Sequence, residues 1–494
     1  MGAAPLCLSL LSKLPMERVV ASEAPAPLQR AARRAAPAGG RRGVLWLAVL
    51  ADALMRFKPS EPFLVPYLAD ATRLGNDAVA ARILVVYSYA AFAAAVALPA
   101  LAALLPALRY KHLLVLCGAA RLGTRALLLA APQSVPLMQL MQVLYGVAEC
   151  AGVVNLCYLY RALPLGDFAI ATGAATAAER LAYMVAAEAG QAAVSSGWLG
   201  GSEDKGEGEG GSHDAAFYRP LFWASGVAVS VAMALTCALP VDTPDKDAAH
   251  RRGVRQWLKL LRSLYASPLA RFLSAWLALA LAAEAAAENF STTVLCAADP
   301  GGCETQAGHL AAAARAAAAV AALLAARAAR WLGERPKALV AVLTGGLAGM
   351  GGLMLLASAS ASLAEFAVPY AATVSAASAL QCVAFALVAR EVAGVGDYVV
   401  LFGANSAASL GLSAALTFFA EGVASLAPRP LYAAFGLFCL CGTMLALAVA
   451  FQERHGLLTP NSVYAGLDEA DEAAEAAPGE SEACLGDDEI EAAR

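Results

Sequence analysis

The sequence predicts an all-α integral membrane protein. Of its 494 residues, 60% are hydrophobic and only 15% are charged, and the mean hydropathy is +0.61. Average soluble chains are about one-quarter charged, and a soluble fold would leave much of this apolar sequence on its surface. From Val44 onward, apolar runs of about 20 residues alternate with short polar breaks, and that length crosses a hydrocarbon core of ~30 Å. A lipid bilayer is therefore the expected solvent.

Twelve apolar runs have the length of membrane-spanning helices. They occupy residues 44–68, 81–106, 112–131, 136–160, 167–194, 217–239, 269–297, 307–328, 338–359, 364–389, 397–420 and 431–452. If successive runs cross the membrane in turn, the breaks fall alternately on its two sides. Arginine and lysine are concentrated on one side, in the N-terminal arm and at 107–111, 161–166, 240–268 and 329–337. By the positive-inside rule, we expect both termini to be cytoplasmic, in a protein of the plasma membrane.

The longest basic break divides the twelve helices six and six. Within it, the segment 254–265 has the sequence VRQWLKLLRSLY, whose basic and apolar residues recur at helical spacing and predict an amphipathic helix on the membrane surface. We therefore expect a bundle at 44–240, a cytoplasmic linker at 241–268 and a second bundle at 269–452. This plan is typical of major facilitator transporters, in which two bundles rock about a central site.

The two ends of the chain differ in charge. The arm at 1–43 is rich in Ala, Pro and Arg. It is expected to be a disordered cytoplasmic segment, with an organelle transit peptide as the alternative. The tail at 453–494 is acidic and poor in aromatic residues, which predicts cytoplasmic disorder. Cys296 and Cys303 flank a short break, where a disulfide and two free thiols are the alternatives.

The sequence lacks the patterns of an enzyme or a metalloprotein. Its eleven cysteines and five histidines show no metal-ligand spacing, and no cluster of nucleophile, base and orienting group is evident. We therefore expect no catalytic residues, no cofactor, no metal and no nucleic-acid partner. The expected partners are the bilayer and a small-molecule substrate, with the coupling ion left open.

Glu61 is the most informative ionisable residue in the apolar runs. Ionisable groups at membrane depth cost about 2.5–3.5 kcal/mol on insertion scales, and by default they face a cavity or a partner. Glu61 lies in MRFKPSEPFLVPYL, where Pro59, Pro62 and Pro66 break the helix. Broken backbone at this depth requires contact with protein or a water-filled space. Glu61 is thus a candidate substrate contact, and the alternative is a solvated glutamate in an outer loop.

Other acidic residues have arginines within reach. Glu284 and Glu288 share one face of the seventh helix. They either pair with Arg315 of the eighth helix or reach the cavity. Glu149 in the fourth helix is a natural partner of Arg121 in the third. Each carboxylate is therefore either a substrate contact or half of an internal ion pair.

Several segments resemble the reduced folate and thiamine carriers of animals. The first-helix segment KPSEPFLVPYL at 58–68 and the segment ALRYKHLLVLCG at 107–118 are similar to two signatures of that family at the right separation. Further similar segments are VVYSYA at 85–90, LMQLMQVLYGV at 137–147, Gly190-Gln191, WLKLLRSLYASPLARFLSAW at 257–276 and LFGANS at 401–406. The matches run in order over most of residues 50–420, and they are closer in the N-terminal half.

The resemblance implies a major facilitator fold and vitamin transport. Folate carriers use an arginine in helix 4, another in helix 10 and a lysine in helix 11 for their dianionic substrate. The corresponding residues here are Gly152, Ala377 and Ser413, which argues against folate. Thiamine carriers place glutamates in helices 1 and 4 near the cationic vitamin. Glu61 matches the first, whereas the second falls at Gly152, one turn from Glu149.

We therefore expect a secondary-active carrier for thiamine or a similar organic cation, working by alternating access. Carboxylates would pair with the cation, aromatic rings would stack on it, and amides would bond an aminopyrimidine edge. The expected substrate-binding residues are Glu61, Glu149, Glu288, Tyr87, Tyr89, Trp276, Asn155, Asn289 and Gln381.

Two other functions remain as alternatives. A carrier of reduced folate or another organic anion would recruit arginines from the apolar runs, namely Arg121, Arg125, Arg180 or Arg315. A receptor or channel without transport activity belongs to a different class. The buried charge balance favours the cation carrier over the anion carrier, and the six-plus-six plan favours either carrier over the receptor or channel.

Overall fold

Every described secondary-structure element is helical, as expected for a backbone that must satisfy its own hydrogen bonds in lipid. The computed structural model describes residues 38–105, 108–196, 215–242, 254–298, 300–393, 398–419, 424 and 426–452. The first half contains α1 (Ala38–Arg56), α2 (Leu64–Thr72), α3 (Asn76–Val79), α4 (Val85–Leu104), α5 (Tyr110–Ala130), α6 (Val135–Glu149), α7 (Ala151–Ala162), α8 (Phe168–Ser195) and α9 (Ala215–Ala238). The second half contains α10 (Val254–Leu264), α11 (Pro268–Ala298), α12 (Pro300–Gly333), α13 (Pro336–Ala359), α14 (Leu363–Glu391), α15 (Tyr398–Thr417) and α16 (Pro428–Gln452).

Ten helical segments of the described chain are long and apolar enough to cross a membrane. The other two predicted spans are 44–68 and 167–194. The span 44–68 is interrupted after Arg56, and the span 167–194, which corresponds to α8, contains the charged residues Glu179, Arg180 and Glu188. The ten segments and the two exceptions agree with the all-α plan of about twelve spans.

The first membrane helix is broken near its middle by prolines. Following α1, a 3₁₀ turn occupies Glu61–Phe63, and α2 then continues to Thr72. Pro59 and Pro62 supply no backbone donor, so the helix cannot run through this segment. The break brings Lys58, Ser60 and Glu61 next to each other within the first bundle, and Lys58 and Ser60 are buried there.

The fourth span consists of two helices that meet at Cys150. The α6 helix ends at Glu149 and α7 begins at Ala151, although the sequence predicts one uninterrupted helix over 136–160. The Cys150 amide bonds to the Val147 carbonyl at 3.3 Å, which is the tighter pattern of a 3₁₀ turn. Glu149 is therefore located at the junction.

The two bundles contact each other on the side of the break at 163–167. Tyr160 of α7 packs against Tyr398 and Phe402 of α15, with ring centroids 5.6 and 5.8 Å apart. A β-carbon added to Gly403 would lie 2.0 Å from the Pro99 side chain of α4, so only glycine permits this approach of α4 and α15. If the N-terminus is cytoplasmic, this contact closes the cytoplasmic side.

Some sequence predictions concern residues outside the described ones. These are most of the arm at 1–43 and all of the tail at 453–494. The side chains of Cys296 and Cys303 are also outside the described part, so the disulfide stays a prediction. The α10 helix lies within the segment predicted to be amphipathic.

Candidate functional site

The first bundle contains a cavity beside the break in the first helix. Its walls come from the Glu61–Phe63 turn and from α2, α4, α5, α6 and α9. The empty volume is about 630 Å³ and includes space open to solvent. The cavity lies on the side of the break at 131–134, opposite the closed contact. The polar and aromatic lining residues are Ser60, Glu61, Tyr87, Thr124, Arg125, Gln142, Tyr145 and Phe222.

Glu61 lines this cavity and already has a cationic partner. Its Oε2 is 2.7 Å from Lys58 Nζ, and its Oε1 accepts a hydrogen bond from the Tyr145 hydroxyl at 2.8 Å. Lys58 Nζ in turn donates to the Tyr145 oxygen at 2.6 Å. The Glu61 side chain is 40% exposed whereas that of Lys58 is fully buried. The three groups form a closed triangle in which the carboxylate faces the open space.

Glu149 is surrounded by three cations. Arg56 Nη1 lies 2.5 Å from Oε2, while Arg121 Nη2 and Lys58 Nζ lie 2.9 and 3.6 Å from Oε1. Arg121 also donates to the carbonyls of Met55 and Ala148, both at 3.0 Å. The Glu149 carboxylate is thus saturated, and it does not line the cavity.

Arg125 differs from these cations because it has no carboxylate partner among the described residues. Its side chain is buried and lines the cavity. The guanidinium donates one long hydrogen bond, from Nη1 to Ser60 Oγ at 3.4 Å, and its Nε has no partner in the described chain. A buried unpaired cation is costly, which makes Arg125 the group in this wall that an incoming anion would satisfy.

A second ion cluster lies between the bundles. Arg180 of α8 contacts Glu284 Oε1 at short range and Glu288 Oε1 at 2.7 Å, both on α11. Arg315 of α12 approaches Glu288 at 3.4 Å, and Gln381 of α14 donates to Glu284 Oε2 at 2.8 Å. Glu288 and Gln381 are therefore engaged in this cluster and not in the cavity.

Four other predicted site residues lie away from the cavity. Tyr89 is 66% exposed, because side chains two positions apart on a helix point about 200° apart and Tyr87 takes the cavity face. Asn289 follows Glu288 by one position and therefore points about 100° away from it around the helix, where it is exposed. Trp276 is fully buried in the second bundle and donates to the Leu343 carbonyl at 2.8 Å. Asn155 is buried on α7, and its amide nitrogen has no partner in the described chain.

The sequence prediction does not include Arg56 or Tyr145, and it names Arg125 only for the anion-carrier alternative. Arg56 carries the shortest contact to Glu149, and Tyr145 bridges Lys58 and Glu61. Arg125 is the cavity-lining cation without a carboxylate partner among the described residues. Arg56 directly precedes the proline break, which is a signal that the sequence offered. Tyr145 carries no local signal, because its role depends on α6 packing against the broken first helix. Among the described residues, no group of side chains could hold a metal ion.

The arrangement of helices is that of the major facilitator fold. The human organic anion transporter MFSD10 superposes with a TM-score of 0.57 at 15% identity, covering 83% of this chain and 100% of that one. The E. coli fucose:proton symporter FucP superposes with a TM-score of 0.58 at 15% identity, covering 82% and 98%. At this identity the similarity establishes the fold alone, and it confirms the fold predicted from the sequence.

The first bundle also matches a specific family in sequence. Residues 43–246 match the family model of the reduced folate carrier. Folate transporter 1 of Caenorhabditis elegans is 32% identical over 146 residues, which are 30% of this chain and 32% of that protein. The match thus spans about a third of that relative's length. The proteins named in these comparisons are carriers or transporters, and the sequence of this chain predicts a transporter and not an enzyme.

Proposed function

We propose that this chain is a solute carrier of the reduced folate carrier family and that it moves a folate-like organic anion by alternating access. The observation that carries this proposal is Arg125, a buried guanidinium that lines the cavity without a carboxylate partner among the described residues. The only carboxylate lining the cavity, among those described, is Glu61, and Lys58 already neutralises it. The cavity is therefore expected to attract a negatively charged ligand.

The rest of the cavity suits a planar anion. An arginine guanidinium matches a carboxylate with two parallel hydrogen bonds, and Arg125 has donors to spare. Tyr87 and Tyr145 lie together with ring centroids 5.2 Å apart, and such rings provide a surface for a flat heterocycle. Thr124 and Gln142 add hydrogen-bonding groups to the same wall.

The cations here occupy different helices from those of the folate carriers. Gly152 stands where the fourth-helix arginine of that family is expected, and a β-carbon at Gly152 would lie 2.7 Å from Arg56 Nη2. A guanidinium from the first helix thus fills that space. Arg56 and Arg121 are paired with Glu149 and Glu179, so Arg125 of α5 is the cavity-lining arginine that remains for an anion among the described residues. The expectation against folate rests on the missing cations, and Arg125 supplies one such cation from another helix.

A thiamine-like cation carrier is the second candidate. It is favoured by the Glu61 carboxylate, which is 40% exposed and faces the cavity. Against it stands the cost of displacing Lys58, whose buried ammonium would lose its closest carboxylate. The two candidates make opposite predictions for Arg125 and Glu61.

Uptake assays distinguish the candidates. In transport-deficient cells expressing the chain, labelled reduced folate is expected to accumulate, whereas labelled thiamine and pyridoxine are not. Changing Arg125 to Gln should weaken folate uptake by about ten- to a hundredfold in KM, the equivalent of a charge-assisted bond worth about 1.5–3 kcal/mol. The matched control is Arg327→Gln on the exposed face of α12. Thiamine uptake that is unaffected by Arg125→Gln and lost in Glu61→Gln would overturn the proposal.

We also propose a plasma-membrane location with both termini cytoplasmic, on the basis of the arginine and lysine distribution. An epitope tag at residue 205 should then be accessible from outside intact cells. Accessibility only after permeabilisation, in protein that has reached the plasma membrane, contradicts this orientation. A purely intracellular location favours the transit-peptide alternative for the arm.

A further inference from the structure

The ion cluster between the bundles joins helices that must move relative to each other. Arg180 lies near the middle of α8 in the first bundle, and Glu284 and Glu288 lie near the middle of α11 in the second. In alternating access the two bundles rock about the site between them. Rocking of the bundles would therefore alter the contacts of Arg180 with α11.

Glu284 and Glu288 are held differently. Glu288 receives two guanidinium groups, from Arg180 and Arg315. Glu284 receives Arg180 on one oxygen and the neutral amide of Gln381 on the other. Its side chain is only 9% exposed, against 22% for Glu288. Glu284 is thus the more buried carboxylate and the one that depends on a single cation.

Few other charged groups face Glu284 in the described chain. On its own helix the neighbour is Glu288, one turn away, which adds like charge. The α8 helix contributes Arg180 and also Glu179, which pairs with Arg56 at 3.5 Å. Arg315 of α12 contacts Glu288 and not Glu284 among the contacts of the described chain. The α14 helix places Gln381 and Cys382 near Glu284, and α15 contains no Asp, Glu, Lys, Arg or His.

We propose that Glu284 is a proton-binding site and that the carrier couples movement of its substrate to this proton. If α8 and α11 move apart while Glu284 is ionised, a buried carboxylate loses the one cation that contacts it in the described part of the chain, which is strongly unfavourable. Protonation removes that cost, because a carboxylic acid needs only hydrogen bonds. The proton comes from water on the side to which the site is open, and it returns to water on the other side when Arg180 pairs with Glu284 again.

Gln381 fits such a site because an amide can bond either form of the acid. Its nitrogen donates to the ionised carboxylate, as observed at 2.8 Å. After rotation of the amide, its oxygen accepts from the protonated carboxyl. The partner of Glu284 on α14 therefore remains satisfied through a cycle of protonation.

The cluster is also connected to the cavity. Tyr183 of α8 receives a hydrogen bond from Arg56 Nη1 at 3.3 Å, and its ring lies 4.5 Å from the Arg315 guanidinium and 5.3 Å from Lys58 Nζ. Movement of α8 that follows release of Arg180 would therefore reach the cations beside the cavity. The identity of the coupled substrate rests on the proposed function, whereas the proton site itself does not.

The proton site can be tested without any substrate. Infrared difference spectra of the purified full-length protein, recorded while the pH is lowered, should contain the C=O band of a protonated carboxyl. This band should be absent in Glu284→Gln and present in the control Glu188→Gln, which changes a half-exposed carboxylate. Because Glu284→Gln leaves Arg180 with one carboxylate, Gln381→Leu serves as a second variant and should shift the pH midpoint of the band. A band unchanged by both variants overturns the proposal.

Coupling is tested in proteoliposomes with labelled reduced folate. A proton gradient directed into the vesicles, with the outside more acidic, should accelerate folate uptake by the normal protein at least tenfold. The Glu284→Gln variant should still exchange folate when the pH is equal on both sides, but the proton gradient should not accelerate its uptake. Exchange that no pH gradient affects overturns proton coupling. Failure of the normal protein to exchange folate at all overturns the proposed substrate, and the infrared result still decides the proton site.

Discussion

Glu179 and Arg180 are consecutive residues of α8, yet their side chains belong to different ion clusters. Glu179 pairs with Arg56 at 3.5 Å beside the cavity, whereas Arg180 pairs with Glu284 and Glu288 of the second bundle. Adjacent residues on a helix point about 100° apart, so one helix turns a charge toward each bundle. The α8 helix therefore forms ion pairs with both bundles.

Neutralising Glu149 is expected to destabilise the first bundle. In Glu149→Gln, the buried cations Arg56, Arg121 and Lys58 lose a shared carboxylate. Breaking a buried ion pair from one side costs about 3–5 kcal/mol. We expect a lower unfolding temperature of the purified protein and reduced surface expression. Glu188→Gln, which changes a half-exposed partner of His309, should leave both nearly unchanged.

The same cluster predicts which second change compensates. Removing Arg121 from the Glu149→Gln protein still leaves Arg56 and Lys58 facing a neutral amide. Removing Arg56 should restore more stability, because Arg56 makes the shortest contact with Glu149, and Glu179 is the other carboxylate within ion-pair distance of Arg56 among the described residues. Recovery of the unfolding temperature by Arg121→Leu but not by Arg56→Leu would contradict this order.

Glu61→Gln is expected to favour anions. The change removes the carboxylate that lies 2.7 Å from Lys58, while Tyr145 continues to hold the lysine. Positive charge facing the cavity then increases, and the KM for reduced folate should fall by about fivefold, equivalent to about 1 kcal/mol. The assay is concentration-dependent uptake at matched surface expression. A rise in the folate KM would show that Glu61 itself helps to bind the anion.

A side chain at Gly403 should obstruct closure of the bundles. In Gly403→Val, the new β-carbon would lie 2.0 Å from Pro99, and overpacking of this kind typically costs about 1–3 kcal/mol. The closed contact of α4 and α15 would become rarer, so uptake should slow while the protein still reaches the membrane. The matched control is Gly349→Val, where nothing lies within 4 Å. Normal uptake rates in both variants would separate this contact from the transport cycle.

Tyr265 gives a pH-dependent prediction outside the membrane spans. Burial raises the pKa of Tyr265 to about 12, and its hydroxyl donates to Asn405 Oδ1 at 2.7 Å. The unfolded chain loses this proton near pH 10, so the contribution of Tyr265 to stability is complete below that pH. It is lost as the pH rises toward the folded-state value.

Unfolding measurements across this range test the prediction for Tyr265. Tyr265→Phe should lower stability by about 1 kcal/mol at neutral pH, because Asn405 loses a hydrogen bond. Between about pH 10 and about pH 12, the normal protein should lose stability more steeply than the variant. Parallel curves for the two proteins over that interval would contradict the assignment.

Part of the candidate site was accessible from the sequence. Three prolines within eight residues identify a helix break. An ionised carboxylate at such a break in a membrane is expected to face a cavity or a partner. That reasoning leads to Glu61, which lines the cavity. The sequence also predicts the pairing of Glu149 with Arg121, because opposite charges on neighbouring membrane helices lower each other's insertion cost when they form an ion pair.

The remaining site residues depended on helix rotation. Tyr87 and Tyr89 are equivalent as aromatic residues of one segment, but of the two only Tyr87 turns toward α6, where its ring packs against that of Tyr145 at an angle of 48°. The sequence predicts Trp276 to be an aromatic surface for the substrate, yet packing within the second bundle buries it completely. The apolar sequence around these residues has no strong polar face, so it does not reveal which side of the helix faces the cavity.

The sequence by itself determined the membrane fold, the approximate spans and the break in the first helix, because apolar length and proline chemistry act locally along the chain. Only the tertiary structure decided which charges neutralise each other. Arg56 and Glu149 are 93 residues apart, and Arg180 and Glu284 are 104 residues apart. Such pairs form where helices from distant segments meet, and the strength of an ion pair depends on distances of a few ångströms in a medium that screens poorly. The unpaired state of Arg125 follows from the same geometry, since its possible partner Glu61 is held by Lys58.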